Sequence, residues 1–155
     1  MNRLFIVRYL PLFVIAALLF SAYFINRTEP TINSGVQCQL AGADECVLVV
    51  EQQKFVAQML QQVEVEEELR VKLVFPAAYR LQKGWVQGIN MYMGKTALMP
   101  QNSHSDGEVS TNELLFFLGA CSEKKMQWQL VVIYLNPVSG TEHTLFYNFS
   151  TDTAT

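Results

Sequence analysis

No charge interrupts the chain between Arg8 and Arg27, and the run YLPLFVIAALLFSAYFI from Tyr9 to Ile25 is apolar almost throughout. A helix needs about 17 to 25 such residues to cross a hydrocarbon core, so Leu4 to Ile25 is long enough to span one if Arg8 reaches back to the headgroups. A cleaved signal peptide is the rival reading. It would want small residues in an A-x-A-like pattern, whereas the candidate end Leu19-Phe20-Ser21-Ala22 carries Phe20 where a small residue belongs. The run therefore predicts an uncleaved anchor. Arg3 and Arg8 before the span, against Arg27 with Glu29 after it, give an inside N-terminus by the positive-inside rule. The expectation is a single-pass inner-membrane protein whose C-terminal part lies in the periplasm.

An anchor over residues 1–27 and a tether over 28–36, rich in Pro, Gly and small polar residues, leave one domain's worth of chain. Of the fourteen acids only Glu29 precedes that domain, and eight cations from Lys54 to Lys125 fail to balance the rest. No basic patch with interleaved aromatics is visible, so nucleic acid is excluded as a partner. The one charge run, Glu64 to Glu68, reads as a solvated loop or a guarded strand edge.

The domain itself reads as strands. Leu69-Arg70-Val71-Lys72-Leu73-Val74-Phe75 alternates polar with apolar, which puts one face in water and one in a core. Val47 to Val50, Lys54 to Leu60, Gly84 to Met93, Glu113 to Leu118, Gln127 to Leu135 and Thr144 to Phe149 follow the same logic, with turn signals every 8 to 12 residues or so. Asn136-Pro137-Val138-Ser139-Gly140 predicts a hairpin between the last two. The expected fold is an all-β, immunoglobulin-like antiparallel sandwich over 37–150, preceded by one transmembrane helix and followed by a disordered tail over 151–155.

Cys38 and Cys46 enclose the short loop QLAGADE. In an oxidising compartment a disulfide there would pin the start of the first strand, adding on the order of 2 to 3 kcal/mol; the alternative is two unpaired buried thiols. Cys121 is left over, as an intermolecular bridge, an inert buried thiol or a thiol kept for chemistry. It lies among other soft donors. Met91 and Met93, two apart on an extended chain, would face one way, and Met99 and Met126 follow. Thioether and thiolate sulfurs select Cu(I), for which three donors suffice. The plainer reading makes these methionines core fillers and Trp128 a core aromatic. His104 offers an imidazole near Met99, or is simply a solvated loop histidine.

The order anchor, C-x7-C, Asn90-Met91-Tyr92-Met93-Gly94, then Gly119-Ala120-Cys121-Ser122 with Met126 and Trp128 beyond, resembles the membrane-anchored periplasmic FixH-like and YtkA-like proteins of proteobacteria. The resemblance runs from Cys38 to about Phe149. It implies a β-sandwich associated with copper chaperones and cytochrome oxidase assembly proteins. It also implies a Cys38–Cys46 bridge and a sulfur cluster of Met91, Met93, Cys121 and Met126.

Catalysis has little to build on. His104 and His143 are the two histidines, the second expected exposed at a strand start; neither belongs to a triad or zinc motif, and no phosphate-binding glycine loop occurs. The expected function is non-catalytic: binding or transferring Cu(I) for respiratory oxidase assembly, or, without metal, an interaction module for a membrane or periplasmic partner.

Overall fold

The computed structural model describes residues 20, 37–40, 44–120 and 122–152. Apart from Phe20, the expected anchor and tether lie outside the described residues, as do Cys121 and the last three residues. Among the described residues no helix is long and apolar enough to cross a membrane. Ser34–Thr155 forms a compact unit by itself.

That unit is built from strands: β1 (Gln37–Gln39), β2 (Cys46–Val50), β3 (Gln53–Met59), β4 (Glu68–Pro76), β5 (Arg80–Gly88), β6 (Lys95–Ala97), β7 (Met99–Ser105), β8 (Val109–Phe117), β9 (Lys125–Leu135) and β10 (Glu142–Asp152). They form two five-stranded sheets, β1-β10-β9-β5-β6 and β2-β3-β4-β8-β7. Every pairing is antiparallel except β1 with β10. The all-β sandwich expected from the alternation is thus present.

Alternation puts one row of each strand inside. β4 contributes Leu69, Val71, Leu73 and Phe75, and β9 contributes Met126, Trp128, Leu130, Val132 and Tyr134, all buried in one core. Tyr134 sits between Phe55 and Phe75, each 4.8 Å away by ring centroids. Trp128 is in this core as expected, and its indole donates to Thr151 Oγ1 at 3.0 Å, which leaves no buried donor unpaired there. Thr151 is buried, and β10 runs to Asp152 rather than ending at 150.

The outer face of the first sheet carries a run of side-chain amides. Trp85 Nε1 donates to Gln87, Gln87 to Gln129, Gln129 to Asn148, and Asn148 to Gln37, crossing four strands in 2.9 to 3.2 Å steps. Gln129 is buried and satisfied on both sides, so its burial carries no desolvation debt.

Most local expectations hold and one is corrected. Phe55 to Met59 lie on β3, as expected, with alternate residues buried. In the β3–β4 connection Val63 and Val65 pack against the core while Glu64, Glu66 and Glu67 face water, which keeps it a loop with a fixed inner face. QNSHSDGE is not a loop throughout. Its first half lies on β7, fully exposed yet paired to β8 with an irregularity between Pro100 and Asn102, so strand there follows from pairing and not from hydrophobic pattern. The hairpin at Asn136 forms as expected: Gly140 N–H bonds the Asn136 carbonyl, and Gly140 takes φ +71°.

Cys38 and Cys46 are joined in a disulfide, Cα to Cα 5.9 Å, tying β1 of one sheet to β2 of the other. Replacing both by serine should lower stability by about 2 to 3 kcal/mol in chemical denaturation, with a denaturant dependence no shallower than the parent's, since the released unfolded chain exposes at least as much surface.

Tyr134 and Tyr147 bury their hydroxyls close to one another, with no hydrogen bond to a third group among the described residues. Burial pushes both phenols well above the usual tyrosine range, and each feels the other. A folded-state pKa above the unfolded one gives stability that is complete below about pH 10 and is lost as pH rises beyond it. Thermal midpoints recorded from pH 8 upward should therefore fall above about pH 10, together with phenolate absorbance. The Tyr134→Phe/Tyr147→Phe double variant should match or exceed the parent at neutral pH, since it removes two buried hydroxyls that bond nothing outside their own pair, and should fall later in alkali.

Candidate sulfur-bearing end of the sandwich

The M-x-M pair was expected at the end of a strand from Gly84 to Met93, both sulfurs on one face. The strand stops at Gly88 instead. Ile89 N–H still bonds Gln127 O at 2.8 Å, but Asn90 then replaces backbone with side chain: its Nδ2 donates to Lys125 O at 2.9 Å and its Oδ1 accepts from Gln127 N–H at 2.9 Å. With the β9 edge satisfied by an amide side chain, the main chain is free to turn away. Met91 and Met93 therefore lie on the β5–β6 connection, which ends at Gly94 with φ +75°.

Gly88 is required by a close approach. A Cβ there would collide with the Met91 carbonyl oxygen and with the Met126 methyl. Met91 main chain and Met126 thioether thus share the space of a missing side chain. Gly119 lies beside Met93, whose methyl would be 3.7 Å from a Cβ at that position. The connection bearing Gly119 continues to Cys121, which is outside the described residues.

Met91, Met93 and Met126 differ in burial. Met91 is 37 % exposed, Met93 is half-buried against the core, and Met126 is 1 % exposed within it. They form a gradient from rim to interior at one end of the sandwich. Met99 is not part of this group: it lies on β7 opposite Leu115, and His104 is exposed farther along the same strand opposite Thr111. Among the described residues no three His, Cys, Asp or Glu side chains cluster as a metal site. An open cleft of about 650 Å³ lies between Gln62–Glu66 and Phe149–Asp152, floored by Leu40, Val63 and Phe149.

At the opposite end sits a polar group that sequence reading missed. His143, expected exposed, is largely buried, with Nε2 3.5 Å from Glu51 Oε2, and the Tyr79 hydroxyl donates to the same oxygen at 3.0 Å. Burial first, then Glu51, raises the Tyr79 pKa, so this hydroxyl stays protonated and committed to the carboxylate. Nothing in the spacing of Glu51, Tyr79 and His143 marks them as neighbours; the β2–β3 turn, the β4–β5 turn and the start of β10 bring them together.

No known protein family, curated protein or solved structure matches the chain.

Gly88→Ala should cost about 1 to 3 kcal/mol in stability, because a backbone carbonyl and not only a flexible side chain must move. The same substitution at Gly140, where nothing lies within 4 Å, meets only the positive φ and should cost less in parallel thermal unfolding.

Proposed function

We propose that the chain is a single-pass, inner-membrane protein with a non-catalytic periplasmic domain that binds or hands on Cu(I) in connection with respiratory oxidase assembly. The supporting observation is that the Met91 main chain and the Met126 methyl both close on Gly88, while the Met93 methyl lies beside Gly119, two residues before Cys121. Soft sulfurs graded from rim to interior suit a soft monovalent ion that enters and leaves, with Cys121 as the thiolate donor and Met91 as the outermost thioether. The disulfide supports an oxidising compartment. The apolar run from Tyr9 to Ile25 supports the anchor.

The strand order supports an immunoglobulin-like sandwich. Strands β3-β4-β8-β7 match A-B-E-D and β10-β9-β5-β6 match G-F-C-C′ of that arrangement. A non-catalytic role agrees with the histidines: His104 is exposed, with Asp106 near it, and His143 faces a carboxylate whose other partner is a protonated phenol.

The metal-free interaction module is favoured by one observation, the near-complete burial of Met126, which is what a core filler shows. The two readings part on affinity. Cu(I) titration of the full chain in mild detergent, against a competing chelator, should reveal one site tighter than about micromolar. Met91→Leu should weaken it while leaving the thermal midpoint nearly unchanged, and Cys121→Ser or Met93→Leu should abolish it. Failure of the parent chain to compete would leave the interaction module.

A further inference from the structure

The sandwich has four sheet edges, and three are guarded. β1 and β6 are three residues each, and β7 is polar from Gln101 to Ser105, with Pro100 and an irregular register. Short length, proline and broken register are how natural sheets prevent unwanted pairing. β2 has none of these devices. Its five residues, CVLVV, carry no charge and no proline, and its register with β3 is unbroken.

Its backbone is open on one side. The two-residue turn at Glu51 and Gln52, both at positive φ, makes Val50 and Gln53 a hydrogen-bonded pair. Alternation then bonds Leu48 and Cys46 to β3 and aims the N–H and C=O groups of Val47 and Val49 away from it. The β3 side agrees: Leu60 N–H bonds Arg70 O, which sets Val56 and Gln58 toward β4. Among the described residues β2 pairs with β3 only. The side chains of Val47 and Val49 are 45 % and 56 % exposed, and Val47 continues across the sheet into Val56 and Val74 in register.

Charge selects the occupant. Asp44 and Glu45 precede the strand and Glu51 follows it, with its side chain 54 % exposed. Antiparallel pairing of two copies about Leu48 would set Glu45 opposite the second copy's Glu51 at each end, and like charges directly opposite destabilise a sheet. We infer that the β2 edge receives, by strand addition, an extended apolar segment of another protein with basic residues at its ends. Main-chain bonds to Val47 and Val49 give affinity, and the flanking acids give the selection. The inference is independent of the copper reading, since it uses none of the sulfur residues.

The test uses the full chain in detergent micelles and a labelled, end-blocked heptapeptide of alternating valine and threonine with lysine at both ends. Its counterpart carries glutamate at both ends. The lysine peptide should bind at least about tenfold more tightly in fluorescence anisotropy and slow hydrogen exchange at the Val47 and Val49 amides. Val49→Pro removes an outward donor without touching the β2–β3 ladder and should abolish binding at an unchanged fold. The Val47→Lys/Val49→Lys double variant, which keeps every backbone donor, should weaken it as well. Equal affinity for both peptides, or binding that survives Val49→Pro, would overturn the inference. A dimer of the chain lost in Val49→Pro would also overturn it, by making a second copy the occupant.

Discussion

The fold depends on β9 being buried on its inner face and well covered on its outer one. Its inner row runs from Met126 to Tyr134 through the core, while Gln129 and Val131 on the outer row are equally inaccessible. Such a strand tolerates no slip, because a shift by one residue would exchange the two rows and put Gln129 among aromatics. β10 and β5 take their registers from it on either side, and through β10 so does β1. The opposite sheet is held against the same row, with Phe55 and Phe75 closing on Tyr134.

The outer amide run reinforces this register by another route. Gln87, Gln129 and Asn148 stand in one cross-strand row, and each bond between them exists in one alignment only. Hydrophobic burial rewards many packings almost equally, whereas a chain of directed bonds distinguishes among them. Trp85, its indole bonded to Gln87 and its ring beneath the Lys95 ammonium at 4.6 Å, closes the row at the β5–β6 side.

Where the sequence carried strong period-two alternation, the fold was legible. β2, β3, β4, β9 and β10 begin and end within a few residues of the expected bounds, since each must hide one row and wet the other. β1 and β7 were illegible for the complementary reason. QCQ and MPQNSHS have no hydrophobic face and become strands through hydrogen bonds to neighbours far along the chain. The sulfur-bearing end was legible in composition but not in geometry. Asn90 ends β5 by occupying the β9 backbone with its side chain, a substitution that no hydrophobic pattern records, and it is the Met91 main chain that closes on Gly88 beside the Met126 methyl. Glu51, Tyr79 and His143 left no trace in spacing because their proximity is purely tertiary.

The disulfide has a mechanical consequence. β1 lies parallel to β10, so tension arriving through residue 36 would load its three rungs together, in shear, and not open them one by one. Once those rungs gave way, the Cys38–Cys46 bond would carry the load straight to the head of β2, and the intervening loop would never be drawn out. The bond thus sets how far the chain can lengthen before the force meets a strand of the second sheet, a stop built into the domain where the chain enters it.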